Sequence, residues 1–360
     1  MKKNLALLIY FFFNSLAFGQ SNDIWISFSN KDSTLIGFKD KSGLIKIEPK
    51  FSGPITANKF ENIIAVTGKE NDIWKNYYLT KQGKIVGQDS LYFFDNTPDC
   101  ENEGYIRFTD YKTNKMGIFD GKGKIAIPAL YSNLTKVRNG MIIVLKDAIK
   151  TKIDDEHFTW TGGKEFLIDI NNKILIENFP YNDDLNFYSL EKSKESSKDK
   201  KRDSFLGIDG LYYSFINYDK EFKYWLENTL LKDLSKANLE KHSFDKITYW
   251  KEPDGWINAP KTKFISQNYT YLKLKLQELK NTNSDYFISS NGLNPFIFES
   301  DEYNIYFNNC NESKDWQYPV KNIIINPKNK TDHGQDHFEF LRTESGYKLI
   351  SVSSAKDNLK

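Results

Sequence analysis

The densest histidine pair in the chain is His333 and His337, in the run DHGQDHF. Four residues apart on a helix, two imidazoles share one face and can hold one metal ion. Gly334 inside the run, and the strand-like residues 338–342 after it, point instead to a loop feeding a hairpin, and a third ligand would have to come from elsewhere. The other histidines are His157 and His242, so an imidazole-based acid–base site has few candidates. A second set is acidic: Asp95, Asp99, Glu101 and Glu103, closing at Gly104. Oxygen-rich loops bind calcium, but the alternating acids and terminal bidentate Glu of an EF-hand are missing, and Pro98 marks a plain turn. A solvated loop is the expectation here.

Residues Gly121, Lys122, Gly123, Lys124, Ile125 and Ala126 match G-x-G-x-x-A. A dinucleotide fingerprint needs a helix after it, so that the phosphates meet helix N–H groups. Here a strand-like run follows and the same turn recurs along the chain, so no cofactor is expected. There is no G-x-S-x-G, H-E-x-x-H, C-x-x-C or P-loop, and among 48 acids no carboxylate pair stands out for glycoside hydrolysis. No catalytic, cofactor-binding or metal-binding residue is assigned. Trp160, Trp250, Trp256 and Trp316 sit among glycine, proline and polar neighbours. They either cover the core or stack on a sugar or peptide.

The elements that would position these residues announce themselves by repetition. Segments 35–51, 77–87, 116–131 and 166–181 each place a turn before an Ile-rich strand. The turn positions are Gly43, Gly83, Gly123 and Asn172, spaced by 40, 40 and 49 residues, with an insertion near 150–163 accounting for the last interval. Such a period marks a repeat architecture. Glycine reaches positive φ without steric cost and Asn is the next most tolerant, as a tight hairpin requires. Asp40, Asp120 and Asp169 precede three of the turns, where a short carboxylate can accept backbone N–H bonds. Pro49 and Pro128 are expected to stop the second strand, since proline cannot donate to a ladder. Further apolar strands fall at 63–66, 105–108 and 141–145. Each unit is thus about three strands and cannot bury its own face, so neighbours must stack.

These features resemble the WG-repeat family over roughly 35–190, in which a Trp-Gly pair precedes an Asp, a turn Gly and a short apolar strand ending in Pro. Ile36-Gly37 and Met116-Gly117 stand in the Trp-Gly place: the glycine is kept and the tryptophan is absent. The resemblance implies a β-rich repeat protein that acts as a binding or interaction scaffold without catalysis.

Residues 191–204 have no apolar side chain and read as a charged linker or exposed loop, with a basic cluster at Lys198, Lys200, Lys201 and Arg202. Beyond it, Asp219 reads as the N-cap of a helix carrying Phe222, Trp225, Leu226, Leu230 and Leu234. A second helix is expected over 269–279, then strands at 286–289, 295–298, 303–307, 320–325, 338–342 and 347–352. Helices before strands argue for α+β. The order, ending in a hairpin, resembles the cone-shaped nuclear-transport-factor-two-like fold.

The first residues have the three parts of a secretory signal: Lys2 and Lys3, an apolar run over 5–18, and small residues Ala17 and Gly19 before Gln20. The run is shorter than the ~20 residues of a membrane span. A net charge of +2, from 50 basic and 48 acidic residues, gives no field that would favour nucleic acid or anionic lipid. Of two cysteines, Cys100 and Cys310, the expectation is unpaired buried thiols, with a single bridge between the halves as the alternative. The sequence therefore reads as a signal peptide over 1–19, β repeats over 20–190, a linker over 191–204 and an α+β domain over 205–360. The function expected is an exported, secreted or periplasmic, non-catalytic binding or scaffold protein with a protein or glycan partner. The alternatives are an envelope hydrolase with its site in the C-terminal domain, or a glycan-binding module.

Overall fold

The computed structural model describes residues 23–52, 57–70, 72–154, 157–281, 284–327, 334–356 and 359–360. The signal peptide expected over 1–19 lies outside the described residues. The chain is β-rich, 48% strand and 13% helix, and its strands fall into many small sheets.

The four expected corners share one geometry. Gly43, Gly83, Gly123 and Asn172 all have positive φ, at 90°, 83°, 68° and 63°. In each turn the N–H of that residue donates to the carbonyl three residues earlier: Asp40, Thr80, Asp120 and Asp169. Oδ1 of Asp40 accepts from the N–H groups of Ser42 and Leu44, Asp120 from Lys122 and Lys124, and Asp169 from Asn171 and Lys173, all at 2.8–3.0 Å. In the second turn Thr80 Oγ1 takes the corresponding bond from the Lys84 N–H. A short oxygen at the turn start thus satisfies amides that the tight corner leaves without ladder partners.

The prolines do not stop the strands. Pro49 lies within Ile45–Ser52 and Pro128 within Ile125–Tyr131. Both sit in a bulge. Ile36 pairs Phe51 and Phe38 pairs Ile47, leaving Gly37 opposite three residues; Met116 pairs Tyr131 and Ile118 pairs Ile127, leaving Gly117 likewise. A bulge residue needs no ladder N–H, which proline lacks. The bulge also explains the retained glycines. A Cβ on Gly37 would lie 2.5 Å from the Ile47 carbonyl oxygen, and one on Gly117 2.6 Å from that of Ile127.

Strand alternation divides each central strand between two neighbouring sheets. Ile64 and Val66 face a core with Phe38, Phe51 and Phe60, whereas Ile63 and Ala65 face Ile106, Phe108 and Phe119. Ile118 of the second sheet packs on Ile142, Val144 and Ile168 of the third. Met141, Ile143 and Leu167 then turn to Phe187, Tyr213 and Phe215 of the fourth. No sheet buries both faces alone, and each supplies what its neighbour lacks.

That fourth sheet corrects the expected linker. Leu185–Ser193 and Arg202–Leu206 both pair with Tyr212–Asn217, so most of the charged segment is strand or the turn between strands. Arg202, assigned to an exposed basic cluster, is instead partly buried, its side chain only 6% exposed. Its guanidinium donates to the Ser214 and Ser189 carbonyls and pairs with Glu191 at 3.2 Å. Charged residues at the sheet surface need no apolar partners when the middle strand, Tyr213 and Phe215 included, supplies the buried face.

Beyond Asn217, helices α1 (Tyr218–Trp225), α2 (Lys236–Lys241) and α3 (Lys261–Glu278) pack on one face of a six-stranded sheet. The strand order is Gly255–Pro260, Ser243–Lys251, Gly346–Ser353, Asp336–Thr343, Val320–Ile325 and Tyr286–Asn291, with one parallel pair, Ser243–Lys251 beside Gly346–Ser353. Asn217, not Asp219, caps α1, its side chain accepting from the Lys220 N–H; the Asp219 carboxylate is engaged by Lys321. After α1 the chain continues as a π-helical turn, Leu226–Leu230. The second expected helix starts earlier, at Lys261. Residues 303–307 are not a strand: Asp301–Tyr306 is a 3-10 helix, which sets Tyr303 and Tyr306 side by side against Leu341 and Ile350. Residues 295–298 form a turn rather than a strand.

Two glycine-to-alanine replacements separate the roles of the corner and bulge glycines. Gly43→Ala adds a methyl in open space at positive φ and should cost about 1 kcal/mol. Gly117→Ala drives a methyl into backbone and should cost about 3 kcal/mol. Urea unfolding of the two variants checks the order, and equal losses would remove the bulge explanation.

Candidate functional site

The acidic stretch, expected to be a solvated loop, is exposed at Asp95 and Glu103 but not at the two acids between them. Asp99 and Glu101 are both 6% exposed. The Asp99 carboxylate accepts from Arg107 through its backbone N–H, Nε and Nη2 at 2.9, 3.0 and 2.6 Å, and lies 3.7 Å from Lys136 Nζ. Arg107 also stacks its guanidinium 4.1 Å from the Tyr92 ring centre. Cys100 is bridged to Cys310, 210 residues away, which corrects the expectation of unpaired thiols. Glu101 reaches back to the N–H groups of Asn62 and Ile63, both at 3.0 Å, and to the Asn62 side chain. Asn102 Nδ2 reaches forward to the Val137 carbonyl at 2.5 Å. Glu103 accepts from the N–H groups of Asn139 and Gly140 and from the Tyr188 hydroxyl. Residues 99–103 thus tie, one after another, to five separate places in the chain.

Burial opposes ionisation of Asp99, but Arg107 and Lys136 together outweigh it and hold its pKa below the usual carboxylate range. Glu101 is the opposite case: burial raises its pKa, against the stabilising N–H groups of Ile63 and Asn62. These carboxylates accept from backbone N–H groups, the Asn62 amide, the Tyr188 hydroxyl and the Arg107 guanidinium, all within the chain. The partners of Glu101, the Val137 carbonyl and the Asn139 and Gly140 amides lie 35–39 residues away in the chain, whereas Arg107 is a near neighbour on the next strand.

The same seam continues into the C-terminal half. Residues between the last two strands of the six-stranded sheet cover that sheet's second face through Phe298, Tyr303 and Tyr306, then reach the β-rich half at Cys310. Lys136 pairs with Glu312 at 2.7 Å, Asn309 Nδ2 donates to Glu61, and the Lys59 N–H donates to the Asn309 carbonyl. A polar cleft of about 390 Å³ remains along the seam, lined by Glu61, Asn62, Glu101, Glu103, Asn308 and Lys314 among others. Burial and nearby Lys59 push the Lys314 pKa down.

The other sequence candidates do not converge. His333 lies outside the described residues; His337 lies on the strand Asp336–Thr343, not a helix, with Nδ1 3.1 Å from Asn322 Nδ2. His157 pairs with Asp154 on an exposed hairpin, and His242 is buried beside Trp225. Among the described residues no group of three or more His, Cys, Asp or Glu is placed to hold a metal. The Gly121–Ala126 motif is the hairpin corner described above, entering a strand; a Cβ on Gly121 would lie 2.7 Å from Asn62 Cβ, so that glycine admits its neighbour. Trp250 and Trp256 face one another across a hairpin with rings 5.4 Å apart but at 80°, which is not a flat stacking platform. Trp316 is buried at the seam and Trp160 lies on the inserted hairpin.

One polar set was missed in the sequence. Asn258, Thr248, Ser351, Glu339, Asn322 and Ser289 stand in register across all six strands of the C-terminal sheet. Burial raises the Glu339 pKa and lowers that of His337 on the same strand. Strands were expected over Ser289, Asn322, Glu339 and Ser351 but not over Thr248 or Asn258, and the alignment required the strand order.

No protein-family description matches the chain, and no curated protein matches it.

The Asp99 ion pair yields a pH test. A carboxyl whose folded pKa is depressed stabilises the fold above its unfolded pKa and loses that contribution as pH falls through the folded value. Asp99→Asn should cost about 3 kcal/mol at neutral pH by leaving Arg107 buried and unpaired. The gap to the wild type should narrow as pH falls below about 4. Urea unfolding at a series of pH values checks both, and a gap constant with pH would contradict the assignment.

Proposed function

We propose that the protein is an exported, non-catalytic binding or scaffold protein. In this reading about four 40-residue units of the WG-repeat kind form a stacked β array over 20–190, and the C-terminal α+β region caps it. The observation that carries the reading is the full commitment of residues 99–103 to internal partners. The acids best placed for chemistry in the β-rich half instead hold that half rigid. A rigid stack of small sheets presents wide, loop-edged surfaces suited to a macromolecular partner, either a protein or a glycan. A disulfide between buried residues accords with an oxidising compartment outside the cytoplasm, secreted or periplasmic. The edge-to-face meeting of Trp250 and Trp256 weighs against sugar stacking there and favours a protein partner.

A second reading, an envelope hydrolase, draws on Asn322, His337 and Glu339, which lie on adjacent strands of the C-terminal sheet. Among the described residues it lacks a nucleophile bonded to a base.

The test incubates the chain from Gln20 onward with isolated envelope proteins and envelope polysaccharide. The expected outcome is retention of a component through washing with no release of new reducing ends, amines or carboxylates. Turnover that disappears in Glu339→Gln or His337→Ala would replace this reading with the hydrolase.

A further inference from the structure

The six-stranded sheet ends on Tyr286–Asn291, which pairs residue for residue with Val320–Ile325 and, among the described residues, with no other strand on its outer side. Exposed edges are normally guarded by lysine, proline or a bulge, because their free N–H and C=O groups will pair with any strand that arrives. The sequence Tyr-Phe-Ile-Ser-Ser-Asn has no charge and no proline, and its pairing has no bulge. The opposite edge, Gly255–Pro260, ends in proline.

Beside the unguarded edge, α1 and the π-helical turn leave a groove of about 450 Å³. Its lining is mixed: Leu226, Leu231 and Leu279 from the helical layer and Tyr286 and Ile288 from the strand supply apolar surface, and Asp219, Lys223 and Glu227 supply charge. Lys223 and Glu227 stand exposed at its rim, and neither has an ion-pair partner among the described residues. Isolated π-helical turns are rare and recur at functional sites.

We propose that this groove receives an extended peptide of a partner protein, which adds as a further strand beside Tyr286–Asn291. A helix or an acyl chain would leave the edge's main-chain groups unpaired, whereas a strand satisfies those of Tyr286, Phe287 and Ile288, which line the groove. The charges on the rim define the strand's side chains. Lys223 and Glu227 lie ~6 Å apart along the helix axis. Alternate side chains on a strand recur every ~6.6 Å. One face of the incoming strand therefore matches the rim with an acid and a base two positions apart, next to an apolar residue that fills the groove. This surface is separate from the seam, so it stands whether or not the β-rich half binds a partner of its own.

The test selects random linear peptides displayed on phage against the chain from Gln20 onward. Enriched peptides should lack proline and carry an acid and a base two positions apart, beside apolar residues. In a synthetic copy, N-methylation of the amides along one edge should weaken binding about tenfold or more per site, and along the other edge hardly at all. The exchange Lys223→Glu with Glu227→Lys, two exposed positions, should reverse the preferred order of acid and base. No enrichment, indifference to N-methylation, or an order unchanged by the exchange would each overturn the proposal.

Discussion

Five consecutive residues, 99–103, carry the constraint on which the rest depends. A buried carboxylate with Arg107, a bridge to Cys310, and side chains bonded to the backbone at 62–63, 137 and 139–140 leave this segment almost no freedom. The energetic logic is asymmetric. Each bond adds modestly to stability, but each buried donor left without its acceptor would cost more than the bond gains. The sheets on either side and the C-terminal half are therefore fixed together: moving any one of them orphans a polar group in the interior.

The rest of the β-rich half follows from local rules repeated at intervals. Positive φ at the corner, a carboxylate at its start and a bulge facing glycine shape similar hairpins at separate places. Strand alternation then sends neighbouring residues such as Ile63 and Ile64 into different cores, so each sheet is held on two sides. Hydrophobic burial binds sheet to sheet without direction, and the 99–103 bonds select the spacing.

These local features were legible because their causes lie within a few residues: the corners at Gly43, Gly83, Gly123 and Asn172, the strands between them, and the later strands at 320–325, 338–342 and 347–352. The misreadings share another cause. Asp99 and Glu101 looked solvated because what buries them is elsewhere in the chain, and acidity alone suggests water. Cys100 and Cys310 looked unrelated because no spacing rule spans such a loop. Residues 191–204 looked like a linker because their apolar partner strand, Tyr212–Asn217, comes afterwards and pairs in between. Pro49 looked like a strand end because a bulge is a property of two strands. The polar row through Glu339 and Asn322, likewise, exists only once strand order is known.

Calorimetry of the bridged chain from Gln20 onward tests the central claim most directly. If residues 99–103 lock the two halves together, the chain unfolds in a single transition whose calorimetric and van't Hoff enthalpies agree. Cys310→Ser should then weaken that lock by about 5 kcal/mol, the loop entropy released, and separate the halves. Two independent transitions in the bridged wild type, unaffected by Cys310→Ser, would show that the seam carries no such coupling.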